Sequence, residues 1–172
     1  MYFFTADEHY DHENIIKYTN RPFNSKEEMN AEMIKRNNEV VCSNDTVVHA
    51  GDFTLRNRVF ASSIIKQLNG NHIFLKGSHD YWLKDKRASS IWEKKIEDKY
   101  IVVCHYAMRT WPRAHYGSWQ LYGHSHGTLD FLKNQYDIGV DHNNFYPVSF
   151  DKIKDLITFE MDKEGRWRTS DY

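Results

Sequence analysis

Short apolar runs alternate with polar clusters along this chain, and the runs have the length of strands. Tyr2 to Thr5 is a β-favouring run that stops at Asp7-Glu8-His9, which predicts a buried first strand with a polar loop at its carboxyl end. A helical stretch follows near Glu13 to Tyr18. Ser25 with Glu28 makes a capping box for a helix running to about Val41, with Met29, Met33 and Ile34 at core spacing. Thr46 to His49 predicts a second strand, ending at Gly51-Asp52. Val59 to Leu68 has helical periodicity and stops at Asn69-Gly70. His72 to Leu75, Tyr100 to Val103, Trp119 to Tyr122 and Tyr136 to Val140 predict further strands. Ser149 is placed to cap a short helix through Leu156, after which Ile157 to Met161 reads as a returning strand. Glu164 to Tyr172 is polar and reads as a turn with a frayed end. No repeat, linker or low-complexity tract interrupts this order, which predicts a single α/β domain over residues 1–172.

Composition narrows the class. A chain of 172 residues with 15% aromatic residues can bury a core and is unlike a disordered segment. The formal net charge of −1 demands no polyanionic partner and argues against broad gripping of duplex DNA. Two cysteines, Cys42 and Cys104, exclude a disulfide framework and a thiolate zinc site. The opening MYFFTADEHYDH is too short and too acidic for a secretory leader, and no run approaches the ~20 apolar residues of a membrane helix. A cytoplasmic protein without membrane partners is expected. Ten histidines are the one oddity, and their positions matter more than their number.

Strand after strand ends in residues of metal-binding type: Asp7-Glu8-His9, Gly51-Asp52, Gly77-Ser78-His79-Asp80, His105 and Gly123-His124-Ser125-His126. In α/β sheets, functional groups gather at the carboxyl ends of strands. Each fragment alone is weak, because a lone histidine is more often surface or hydrogen-bonded core than a ligand. All five in this order, each after a strand-like run, require several coincidences of the bland reading. Imidazoles and carboxylates without thiolate suit first-row divalent metals.

These residues resemble the calcineurin-like metallophosphoesterase superfamily, whose motifs run Asp-x-His, Gly-Asp, Gly-Asn-His-Asp/Glu, His and Gly-His-x-His. The resemblance runs from about Tyr2 to at least Ser149 and is nearest to small bacterial and phage-type members without a cap domain. It implies a four-layer α/β/β/α sandwich with a dinuclear centre at the carboxyl ends of the strands. One metal would be held by Asp7, His9 and His126, with Asp52 bridging; the second would take His105, His124 and position 78. His79 would be the acid-base histidine, oriented by Asp80. Two divalent cations are implied, with Mn²⁺ preferred and Fe, Zn or Ni as alternatives. They would clamp a phosphoryl group and acidify a bound water, so that hydroxide is available near neutral pH. The implied activity is hydrolysis of phosphodiesters or phosphomonoesters, with a nucleotide or nucleic-acid end favoured as substrate. The alternative is a non-catalytic metal-binding scaffold or nucleotide sensor on the same fold.

The chain departs from that pattern at Ser78, where the family has Asn. Three readings stand: a natural variant that keeps both metals through a water, a weakened second site, or an introduced substitution. Gly70-Asn71-His72 spells the family triplet but precedes its strand, so Asn71 reads as turn chemistry. His12 is balanced between a substrate contact and a surface residue at a helix start. Arg109, Trp111 and Arg113 follow His105 in an expected loop over the site, where Arg109 could bind phosphate or stay solvated. Arg21 is a candidate loop clamp, Glu8 is not expected as a ligand, and His49, His115 and His142 have no motif support.

Overall fold

A computed structural model describes residues 1–84 and 89–163. Strand β1 (Tyr2–Thr5) pairs in parallel with β2 (Thr46–His49), Phe4 opposite Val48, and β2 pairs in parallel with β3 (Asn71–Phe74). Parallel strands covered on both faces need apolar residues on both sides. Phe3, Phe4, Val47 and Val48 meet that need and are buried. A two-residue strand late in the chain, Val148–Ser149, completes this first sheet antiparallel to β1.

The second sheet begins with a hairpin, β4 (Ile91–Ile96) antiparallel to β5 (Lys99–Cys104). It continues in parallel through β6 (Trp119–Tyr122) and β7 (Gln135–Asp137); numbered in chain order, Val148–Ser149 is then β8. Alternate residues of β5 and β6, Ile101, Val103, Trp119 and Leu121, meet Phe4, Val48, Ala50 and Leu75 of the first sheet in one core cluster. The fold is thus α/β with two stacked mixed sheets, joined by a parallel bridge from Ala6 to Gly139.

Helices α1 (Glu13–Tyr18), α2 (Lys26–Val40) and α3 (Arg58–Ile65) cover the first sheet, placing Ile15, Met29, Met33 and Ile64 in a second cluster with Phe53 and Trp82. Ser25 Oγ accepts from the Glu28 backbone N–H, as the capping pattern expects, while the Glu28 carboxylate accepts from the Asn24 backbone N–H. Outside the second sheet, segment 106–118 supplies the cover. Gln120 and Gln135 point that way and bond the Met108 backbone at 3.3 and 2.6 Å.

Two elements differ from the sequence reading. Helix α4 runs unbroken over Phe150–Lys163, so Ile157 to Met161 is helix and not a returning strand. Ile153 and Ile157 lie four apart, on one helix face, and both are fully buried in the inter-sheet cluster. That tertiary burial decides between two periods that a short apolar run leaves open. The hairpin strand β4 was not expected, because its exposed sequence IWEKKI carries little apolar signal. The expected C-terminal turn from Glu164 lies outside the described residues.

Candidate metal centre

Five strand ends converge at one edge of the sandwich. Backbone bonds tie the loops to each other: Asp7 N–H donates to Gly51 O at 3.0 Å, His9 N–H to Asp52 O at 2.9 Å, and Gly123 N–H to His105 O at 3.1 Å. Asp7, His9, Asp52, His124 and His126 all have φ between 49° and 67°. Left-handed backbone is uncommon outside glycine and costs roughly 1–2 kcal/mol per residue. Its concentration at these residues is a mark of a functional site. Gly77 answers a different need, close approach, since a Cβ there would collide with the Asp52 carboxylate and backbone.

The structure brings the candidate ligands into two groups. Donor atoms of Asp7, His9 and His126 lie within 4.8 Å of one another, and so do those of Asp52, His105 and His124. The Asp52 carboxylate sits between the groups, with Oδ2 at 3.7 Å from His9 Nε2 and 3.4 Å from His105 Nε2. Ser78 Oγ donates to Asp52 Oδ2 at 3.0 Å, so position 78 belongs to the second group's surroundings. His105 Nδ1 lies 2.9 Å from Ala50 O, which leaves its Nε2 facing Asp52. Among the described residues, Asp7 Oδ1, both His9 ring nitrogens and His105 Nε2 are buried without a hydrogen-bond partner. Buried polar atoms are almost always paired. Such unpaired atoms on three of the candidate ligands, Asp7, His9 and His105, fit divalent cations.

Electrostatics agree with that fit. Burial pushes the Asp7 carboxyl up to about 7, against the pull of His105 and His126. Burial also pushes His9 down to about 3, with Asp52 opposing. Burial would raise Asp52 too, but its contact with His105 and the His79 backbone N–H hold it well below the carboxylate range. Without a cation, burial thus disfavours the charged forms of Asp7 and His9 while Asp52 stays ionised; a divalent ion would restore the carboxylate form of Asp7.

His79 stands at the rim, its side chain 43% exposed and its Nε2 3.9 Å from Asp52 Oδ2. His12 lies beside it, its ring centroid 5.4 Å from that of His9. Asp80 departs from its expected part. Its Oδ2 accepts from the backbone N–H of Asp52 and Gly77, and its Oδ1 from Phe53 N–H and Trp82 Nε1. Among the described residues it makes no hydrogen bond to the His79 ring. Asp80 knits the loops after β2 and β3 together, which positions His79 only through its backbone. Arg109 is exposed and makes no bond to the ligand cluster. Arg113 is turned away, its guanidinium 4.4 Å over the Tyr100 ring near the opposite end of β5 from His105.

One partner of a ligand, Asp141, and two sets of neighbouring contacts are not expected from the sequence. Asp141 Oδ2 lies 2.7 Å from His126 Nδ1 and pairs with Arg21, the expected clamp. Asp137 accepts from Ser125 Oγ at 2.5 Å and from the Gly127 and Gly139 N–H groups. Glu8, turned away from the ligands, meets His49 Nδ1 at 2.5 Å, and His49 Nε2 meets His72 Nδ1 at 2.9 Å. For Glu8 and His49, adjacency to the motifs was the available signal.

No family model matches the chain. An uncharacterized protein of Methanocaldococcus jannaschii is 32% identical over 161 residues, covering 88% of each chain. Among solved structures, a protein of unknown function from Aquifex aeolicus aligns with TM-score 0.68 and 22% identity, over 91% of this chain and 99% of its own. A conserved predicted phosphoesterase from Streptococcus pneumoniae aligns with TM-score 0.47 and 15% identity, over 80% of this chain and 70% of that one.

Proposed function

We propose that this chain, which belongs to one family with the uncharacterized Methanocaldococcus jannaschii protein, is a calcineurin-like metallophosphoesterase that hydrolyses phosphate esters. The carrying observation is the pair of three-residue ligand groups joined by Asp52, with buried donor atoms left unpaired in both. Asp7, His9 and His126 would hold one divalent cation, His105 and His124 the other, and Asp52 both, with the Ser78 hydroxyl beside it. Mn²⁺ is preferred, with Fe, Zn and Ni as alternatives. When bound, such a pair supplies charge stabilisation of a phosphoryl group and makes water acidic enough to attack near neutral pH.

The chain's own residues do the rest. Asp52 fixes the spacing of the two groups. His79, exposed at the rim, holds a proton at Nε2 for the leaving oxygen. His12 lies on the same rim and faces the same substrate. Tyr106 stands 47% exposed with its ring centroid 4.8 Å from those of both His105 and His124, and Tyr81 beside Asp80 is 69% exposed. An exposed ring beside a phosphate site, as Tyr106 provides, suits a nucleotide or nucleic-acid end, whose base can stack.

The test is a chelator-stripped protein assayed on a chromogenic phosphodiester and monoester with and without Mn²⁺, beside His79→Ala. Activity should return with metal and fall by roughly 10²-fold or more in the variant, at unchanged metal content. Full metal loading without turnover on either ester would instead favour the scaffold or sensor reading.

A further inference from the structure

The two ligand groups are not built alike. His126 can offer Nε2 to a cation because its Nδ1 is engaged by Asp141 Oδ2 at 2.7 Å. Asp141 is itself gripped by a fully buried guanidinium: Arg21 Nε donates to Oδ1 at 2.8 Å and Nη2 to Oδ2 at 2.7 Å. Thr19 Oγ1 adds a third bond to Oδ1 at 3.0 Å. The same guanidinium donates to the backbone oxygens of Asp7, at 2.7 Å, and Glu8, at 2.9 Å. One side chain therefore joins the loop that carries Asp7 and His9 to the carboxylate that aims His126. A bidentate arginine–carboxylate pair is among the most directional contacts available to a protein.

Among the described residues, the second group has no comparable ion-paired brace. His124 is exposed, and its ring neighbours are the rings of His105 and Tyr106. The Ser78 hydroxyl is turned onto Asp52. Each group has one ring nitrogen held from behind, His126 by the ion-paired Asp141 carboxylate and His105 by the neutral backbone oxygen of Ala50, so the groups differ in the holder and in the exposure of His124.

We propose that Asp141, locked by Arg21, is a positioning residue that makes the Asp7–His9–His126 position the tighter of two unequal cation positions. This rests on the metal-centre reading above, and its tests read metal binding rather than turnover. The wild-type protein, stripped with chelator and titrated with Zn²⁺, should bind in two phases, with about one ion per chain surviving dialysis. Asp141→Asn should weaken the tight phase by about 10- to 100-fold and leave the weak phase in place. Proton NMR of the Zn²⁺-loaded protein supplies a second readout. A downfield His126 Nδ1–H resonance should be lost or shifted in the variant, while that of His105, bonded to Ala50, persists and reports an intact fold. Two equal sites, or a variant that weakens both phases or neither, would overturn the proposal. Absence of any Zn²⁺ binding would instead overturn the metal-centre reading on which it stands.

Discussion

Ser78 occupies the place where the second ligand group is most open to change. Its hydroxyl reaches Asp52 Oδ2 at 3.0 Å, and the residue is exposed. An asparagine there would carry a neutral amide oxygen farther from the backbone. Ser78→Asn should therefore tighten the weak cation phase by about tenfold, near 1.4 kcal/mol, and raise the esterase rate. Isothermal titration and a steady-state assay check it; equal or lower activity with both cations bound would count against Ser78 as the weak point. At this scale the candidate ligands were legible, because each follows an apolar strand and sits beside a glycine or a second polar group. Asp141 was not legible. Its role depends on Arg21, 120 positions away, and one aspartate in a loop carries no periodic signal. For Asp80 the sequence points to the right cluster and the wrong partner, because its four donors come from loops brought together only by folding.

Among elements, helix α4 closes the open end of the inter-sheet core with Phe150, Ile153 and Ile157, and it packs on β1, β7 and β8. Ile157→Ala should destabilise the protein by about 2–5 kcal/mol, the range for truncating a fully buried isoleucine. A shift in urea midpoint without change in slope would measure it. A loss below ~0.5 kcal/mol would mean that this residue is not packed as the helix places it. The parallel strands were legible because burial on both faces writes itself as continuous apolar runs. Strand β4 was not, because an edge strand with Glu93, Lys94 and Lys95 exposed reads like a solvated loop. Those charges have a use there: they discourage another chain from pairing along the edge.

Across the whole molecule, buried titratable groups make the metal-free protein sensitive to pH in both directions. Burial raises Glu8 to about 8 from an ordinary 4.5, so the native state binds the extra proton in between. Its contribution is complete below 4.5 and is lost as pH rises toward 8. His49 is pushed down to about 3 by burial. Its unfolded form gains a proton that the native ring refuses, so stability falls as pH drops from 6.5 toward 3. Asp7 and His9 shift in the same two senses. Thermal midpoints of the stripped protein should hold between pH 4.5 and 6.5 and decline on either side. A midpoint that climbs from pH 6.5 to 8 would contradict this. Added cation should flatten the alkaline decline, because its ligands must shed protons to bind.

The left-handed backbone at Asp7, His9, Asp52, His124 and His126 also bears on how long each copy of the protein lasts. Ligand-binding loops are drawn from the least stable parts of a fold, and backbone strain lowers their stability further. On the proposed function, a bound ion would close that seam and an empty copy would expose it to proteolysis. Metal supply would then set abundance as well as competence: under starvation the empty copies would be removed first, and the surviving population would be enriched in loaded ones.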